Sequence, residues 1–322
     1  MKMGIVYTLL TCFLWGVSFP AALFVPEYSG IYLGLARAVL IGLLSVGSVF
    51  ASFKAFKALK HRDWHWAIFL ALVGQIIQPV CFFLSVMYAG VAVASICYGG
   101  CPVLVAIIAN LRDRRNGKPY VRMTSLIVPL TLIVLGFVFS NYTEFAELAH
   151  AERSQTDFFL GLVFGLSSTA LFTAYTICNA DWMLAHKKAD PTMWFSAQCL
   201  VALPIALTIY PLCASLDPGM PGLLGAAPLR FVFVMLVVSV LCSFVPGILY
   251  NMAAARIPTS LLGQLLVMET VFGIIAGQVV MLEVPSLPLT AGIVMFLFGV
   301  TYALNVFAHM EKGVKAPASD KK

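Results

Sequence analysis

Charge is what this chain has least of. Asp, Glu, Lys and Arg make up 11% of its 322 residues and hydrophobic side chains 61%, where an ordinary soluble domain carries about 25% charged residues. A water-soluble fold is therefore excluded and an integral membrane protein expected. Histidine is scarce too: His61, His65, His150, His186 and His309 are scattered, with no matched pair of carboxylates. A membrane enzyme needs converging acids, bases or metal ligands, so no enzymatic activity is expected. Cysteine is missing from the connecting loops. All eight, at 12, 81, 97, 101, 178, 199, 213 and 242, lie inside apolar stretches and read as small core residues, not as a disulfide framework. Cys97 and Cys101 are one helical turn apart without a companion His or Cys pair, so neither a metal site nor a cofactor is expected.

What is abundant is apolar sequence in helix-length runs. A helix needs about 20 mostly apolar residues to cross a bilayer. The chain supplies ten such stretches, spans 1 to 10, at 4–24, 31–53, 66–88, 91–111, a fifth ending near 140, 158–180, 192–213, 229–253, 259–282 and 287–307. The first lacks the small-residue cleavage motif of a signal peptide, and further spans follow at once. Basic residues fall on alternate sides of this ladder. Of the 20 Lys and Arg, Arg37 lies inside span 2, seventeen lie on the side of Lys2, and only Arg153 and Arg230 lie opposite. This predicts both termini in the cytoplasm. The net charge of +6 is thereby a topology signal, and no nucleic acid partner is expected; the oligomeric state is not readable.

The chain also resembles itself. Shifted by 167 residues, Pro79 falls on Pro246, Ile107-Ile108-Ala109 on Ile274-Ile275-Ala276, and Pro102 on Glu269. The expected organisation is a first five-span copy at 1–140, an extracytoplasmic connecting segment at 141–157, a second copy at 158–309 and a cytoplasmic basic tail at 310–322. An odd number of spans per copy forces the second to cross in the opposite sense. The fold class predicted is an all-α membrane protein of two inverted five-helix repeats, an architecture of transporters.

Polar residues at depth then single out a site. Glu269 lies near the middle of span 9, where a carboxylate costs roughly 2.5 to 3.5 kcal/mol on insertion scales. Either it carries protons for coupled transport or it pairs with a donor across the bundle, Arg37 included. Arg37 is assigned a structural role, its stem long enough to snorkel to the outer interface. Gly273 and Gly277 should let a neighbouring backbone approach span 9, and Pro79, Pro102 and Pro246 should interrupt their helices. Helical periodicity groups candidate substrate contacts on polar faces: Trp15 in span 1, Gln75 and Gln78 in span 3, Tyr98 beside Pro102 in span 4, Phe172 and Tyr175 in span 6, and Tyr250 and Asn251 in span 8. Thr8, Thr11 and Ser18 share the face of Trp15, but membrane Ser and Thr more often bond backbone. Gln264 and Gln278 lie far round span 9 from Glu269 and are expected to be helix contacts.

Several of these residues form a recognisable pattern. Leu14-Trp15-Gly16, Leu35-Ala36-Arg37, Pro102, the run Leu171 to Tyr175, and Glu269 followed by small residues up to Glu283 resemble the ten-span EamA type of the drug/metabolite transporter superfamily. The resemblance covers Gly4 to about Ala308. Val25-Pro26-Glu27-Tyr28 and Arg62-Asp63-Trp64 look like a bacterial inner-membrane branch of it. The resemblance implies efflux of a small metabolite, such as an amino acid, coupled to an ion gradient or to exchange. Where many members carry an acid after span 4, this chain has Leu111-Arg112-Asp113-Arg114, which sets its two copies apart.

The leading expectation is thus a secondary transporter for a small polar or zwitterionic molecule, with the bilayer and protons as its other partners. Efflux of lipophilic cations and uptake of a metabolite are the alternatives within transport. Outside it stands a non-transporting scaffold subunit, which would have no need of a buried acid beside polar helix faces.

Overall fold

The computed structural model describes residues 1–142, 154–216 and 222–315. Most of the expected connecting segment at 141–157, Arg153 included, and the end of the basic tail with Lys321 and Lys322 lie outside the described residues. Every regular element among those described is helical, because hydrocarbon offers backbone N–H and C=O groups no partner but their own helix. Among the described residues, ten helices are long and apolar enough to cross a membrane: Lys2–Ala21, Gly30–Ala51, His61–Ala89, Val93–Arg115, Met123–Ser140, Gln155–Ala185, Pro191–Ser215, Pro228–Ala254, Thr259–Met281 and Leu287–Met310. They match spans 1 to 10 one for one. Ten crossings return the chain to the face it started from, called the terminal face below.

Span 3 starts five residues earlier than its apolar run because its first turn is polar and capped. The Asp63 carboxylate accepts the Lys60 backbone N–H at 2.9 Å, satisfying a donor that the first turn leaves open.

Prolines act differently from expectation in two places. Pro79 and Pro246 do not break their helices. Each follows directly on a π-helical turn, Ala71–Ile77 and Val240–Phe244, and α-helix resumes over Gln78–Ala89 and Val245–Ala254. The wider turn gives the proline ring room against the preceding carbonyls. Spans 4 and 9 are the interrupted ones. Val91–Gly99 stops at Gly100, and Cys101–Arg115 restarts with Pro102 in its first turn. Thr259–Leu265 stops at Leu266, and Val267–Met281 restarts with Glu269 in its first turn.

The packing repeats as the sequence does. Span 1 packs on spans 8 and 9, and span 6 on spans 3 and 4; span 2 packs on span 7, span 5 on span 10, and the first half of span 9 on the second half of span 4. Exchanging each span for the one five places along maps these pairings onto themselves at the level of whole spans, though not of the half-spans in the contact between spans 4 and 9.

Small residues set the closest approaches. A Cβ at Gly161 would strike the backbone of Ala89, 2.6 Å from its N and 2.9 Å from its Cα, and the Ser85 hydroxyl donates to the Gly161 carbonyl at 2.7 Å. Span 6 therefore lies almost backbone to backbone on span 3. Gly273 is likewise covered, by the Phe19 ring. Gly277 is not: no described residue lies within 4 Å of its Cβ position, because span 1 has already turned into the 3-10 segment Phe19–Phe24. Gly161→Val should therefore destabilise the protein by about 1–3 kcal/mol through overpacking, seen as a lower Tm of the detergent-solubilised protein, while Gly277→Val leaves the Tm unchanged.

Candidate functional site

The two interrupted helices meet. Between their breaks lies a cavity lined by Tyr98, Pro102, Phe172, Leu266, Glu269 and Thr270. Glu269 and its repeat counterpart Pro102 thus face the same space. The volume is about 20 Å³, enough for about one water and far short of the roughly 300 Å³ that small-molecule pockets begin at. Admitting a metabolite requires spans 4 and 9 to separate.

The turn that carries Glu269 is held from span 1. A Cβ at Gly16 would lie 2.7 Å from both the Glu269 carbonyl oxygen and the Gly273 nitrogen, so only glycine lets span 1 seat there. One turn earlier, the Cys12 thiol donates to the Leu265 carbonyl at 3.5 Å, beside the break. The Glu269 carboxylate itself is half-buried. Four ion pairs join described residues: Arg112 with Asp113 and with Asp181, His186 with Asp63, and Arg230 with Glu27. Neither Glu269 nor Arg37 belongs to one.

Of the expected contacts, Tyr98 and Phe172 line the cavity, their ring centroids 5.3 Å apart. Tyr175 is next in line, 6.2 Å from Phe172, its ring laid on Gly74 of the first π-turn. Trp15 faces Tyr250 at 5.6 Å, and the Tyr250 hydroxyl donates to the Thr176 carbonyl at 3.3 Å. Gln75 and Gln78 are buried, and Gln78 donates to Ser168 at 3.1 Å, tying span 3 to span 6. Thr8, Thr11 and Ser18 bond carbonyls of their own helix, at 2.8, 2.9 and 2.6 Å. Gln264 is fully buried and reaches the Ser260 carbonyl.

Arg37 is the residue expected to snorkel. It shares a helix face with Gly34, which lies against the Phe83 ring of span 3, and with Ile41, which packs on Phe195 and Cys199 of span 7 and Phe244 of span 8. This face of span 2 is turned toward spans 3, 7 and 8, and Arg37 on it is half-buried.

Asn251 is placed away from the cavity, in a network that periodicity within single helices did not reveal. The Asn179 side-chain oxygen accepts from Trp194 at 2.9 Å and Gln198 at 3.0 Å. Its amide donates to Asn251 at 2.7 Å, and Asn251 donates to the Pro191 carbonyl at 3.3 Å. All four side chains are fully buried. Trp194 stacks on Trp182 at 3.5 Å, and the Trp182 indole donates to Asp63 at 3.2 Å. The network joins spans 3, 6, 7 and 8 near the terminal face. Trp194 and Gln198, one turn apart in span 7, were the available signal.

No family model matches the chain. Over 309 residues it is 30% identical to the inner membrane protein YtfF of Escherichia coli strain K12, covering 94% of this chain and 95% of the relative. The chain belongs to the YtfF family. With ten apolar helices, this YtfF-family chain is a multi-pass inner-membrane protein. A solved crystal structure, 12% identical, superposes with a TM-score of 0.73 over 98% of this chain and 100% of its own, a likeness of fold.

Asn179→Leu removes the acceptor of two buried donors and the donor to Asn251. Each orphaned group costs about 1–3 kcal/mol, so this variant should show a strongly lowered Tm, whereas Ser18→Ala, which loses only a bond to its own helix, stays near wild type.

Proposed function

We propose that the protein is a secondary-active transporter of the EamA type within the drug/metabolite transporter superfamily, exporting a small polar metabolite such as an amino acid by alternating access. In this reading both termini are cytoplasmic, the two five-span halves are inverted repeats, and Glu269 couples transport to protons. The observation that carries it is the carboxylate of Glu269, without an ion-pair partner among the described residues, at mid-span, in a cavity between two helix breaks. A structural acid at that depth is expected to be paired; a site that takes up and releases a charge is not. Support for the repeat comes from the paired π-turns, the paired breaks and a packing of whole spans that survives exchange of the halves. The buried network near the terminal face and the small cavity fit a state between openings.

The aromatic lining favours one rival reading: Tyr98 and Phe172 beside a carboxylate also suit a lipophilic cation. Counterflow separates the two. Proteoliposomes preloaded with unlabelled amino acids should take up a labelled one and be indifferent to tetraphenylphosphonium; the reverse result establishes cation efflux. Glu269→Gln should keep exchange and lose accumulation driven by a pH gradient. Normal gradient-driven accumulation in that variant would show that Glu269 is not the coupling residue.

A further inference from the structure

Span 5 packs along span 10 and hardly touches span 4. Two ties hold it to span 4. At the terminal face the buried Asn110 side chain donates to the Val121 carbonyl at 2.8 Å and accepts the Val121 N–H at 2.9 Å, and its amide lies 3.3 Å from the Met123 sulfur. Deeper in the bundle the Phe137 ring lies on Gly99, where a Cβ would sit. Between the two ties a groove of about 360 Å³ opens, lined by Ile107 of span 4 and by Met123, Ile127, Thr131, Val134 and Leu135 of span 5. Ile127 and Val134 are exposed, so the groove faces outward, toward the bilayer. Its lining is apolar but for Thr131.

An empty groove in hydrocarbon forfeits dispersion contacts along both walls. Its depth matches one leaflet. From Met123 to Leu135 the helix rises about 18 Å, against roughly 15 Å for half of a ~30 Å hydrocarbon core.

The mouth of the groove is basic. Arg122 directly precedes Met123. On span 4, Ile107, Leu111 and Arg114 follow one another at i, i+4 and i+7 and share a face. The Arg114 guanidinium lies over the Tyr120 ring, 5.7 Å from its centroid, a stacking that orients it and leaves its in-plane N–H groups available. Both arginines are exposed, and both stand outside the four ion pairs of the described residues, where Asp113 is taken by Arg112. The strap between the helices is fixed by Asn110 and by the Lys118 N–H, which donates to the Asp113 carbonyl at 2.9 Å. The two arginines thus extend from a pinned backbone. Topology asks only that such a loop be basic; it does not ask that two arginines flank an apolar groove of one leaflet's depth.

We infer that the groove between spans 4 and 5 binds an anionic phospholipid, one acyl chain lying along Ile107, Ile127 and Val134 and the phosphate held by Arg114 and Arg122. Guanidinium forks match phosphate oxygens in paired, charge-assisted hydrogen bonds. The site is independent of what the Glu269 cavity transports.

The test is native mass spectrometry of the purified full-length protein in detergent, titrated with dioleoyl phosphatidylglycerol or with dioleoyl phosphatidylethanolamine. The first should bind about 10- to 30-fold more tightly, each arginine contributing about fivefold. The double variant Arg114→Gln, Arg122→Gln should bind the two lipids alike. Lys54→Gln with Lys57→Gln, which removes the same charge from the loop between spans 2 and 3, should keep the preference. Thr131→Trp, which fills the groove, should weaken both lipids. The assignment is overturned if the wild type shows no preference, if the lysine pair loses it as the arginine pair does, or if Thr131→Trp changes nothing. Displacement of the lipid by glycerophosphoglycerol, the headgroup without its chains, would make this a site for a soluble anion. A dimer that Thr131→Trp dissociates would make the occupant a second copy of the chain.

Discussion

A carboxylate inside a low-dielectric bundle is the constraint on which the rest of this structure turns. Glu269 is tolerated because span 9 is interrupted just before it and restarts with the acid in its first turn, where the helix dipole and open N–H groups favour negative charge. That interruption is itself supported. Gly16 brings the backbone of span 1 against the Glu269 carbonyl, and Cys12 takes up the carbonyl of Leu265. The matching break at Gly100 lies across the same cavity. Changing any one of these residues alters the surroundings of the charge.

Irregular backbone at membrane depth is stable only where protein covers it. Here four such features occur in two pairs, the π-turns before Pro79 and Pro246 and the breaks before Pro102 and Glu269. They sit on spans 3, 4, 8 and 9, which spans 1 and 6 pack against. The terminal face is built in the opposite manner. Asn179, Asn251, Trp194 and Gln198 are fully buried and bonded to one another, so separating spans 6, 7 and 8 there requires three side-chain hydrogen bonds to break together.

Much of this was legible in the residues. The ten spans followed from apolar run length, since a bilayer sets a minimum that few buried soluble helices reach. The pairing of Glu269 with Pro102 and Tyr98 followed from an ungapped internal match together with helical periodicity. The errors are specific. Pro79 and Pro246 were read as breaks because proline removes a donor, but a π-turn can absorb the ring without ending the helix. Gly277 was read as a contact because it continues a glycine spacing, but the neighbouring helix had already turned away.

The sequence by itself determined the membrane class, the number of membrane-length helices and the presence of an acid near the middle of the ninth, because each depends on composition or on spacing along one helix. Only the tertiary structure decided which polar residues share a space. Asn251 joined a buried network instead of the cavity, and Glu269 and Arg37 were left outside every described ion pair, because those outcomes depend on contacts between helices far apart in the chain, and periodicity within one helix carries no information about the partner on the next.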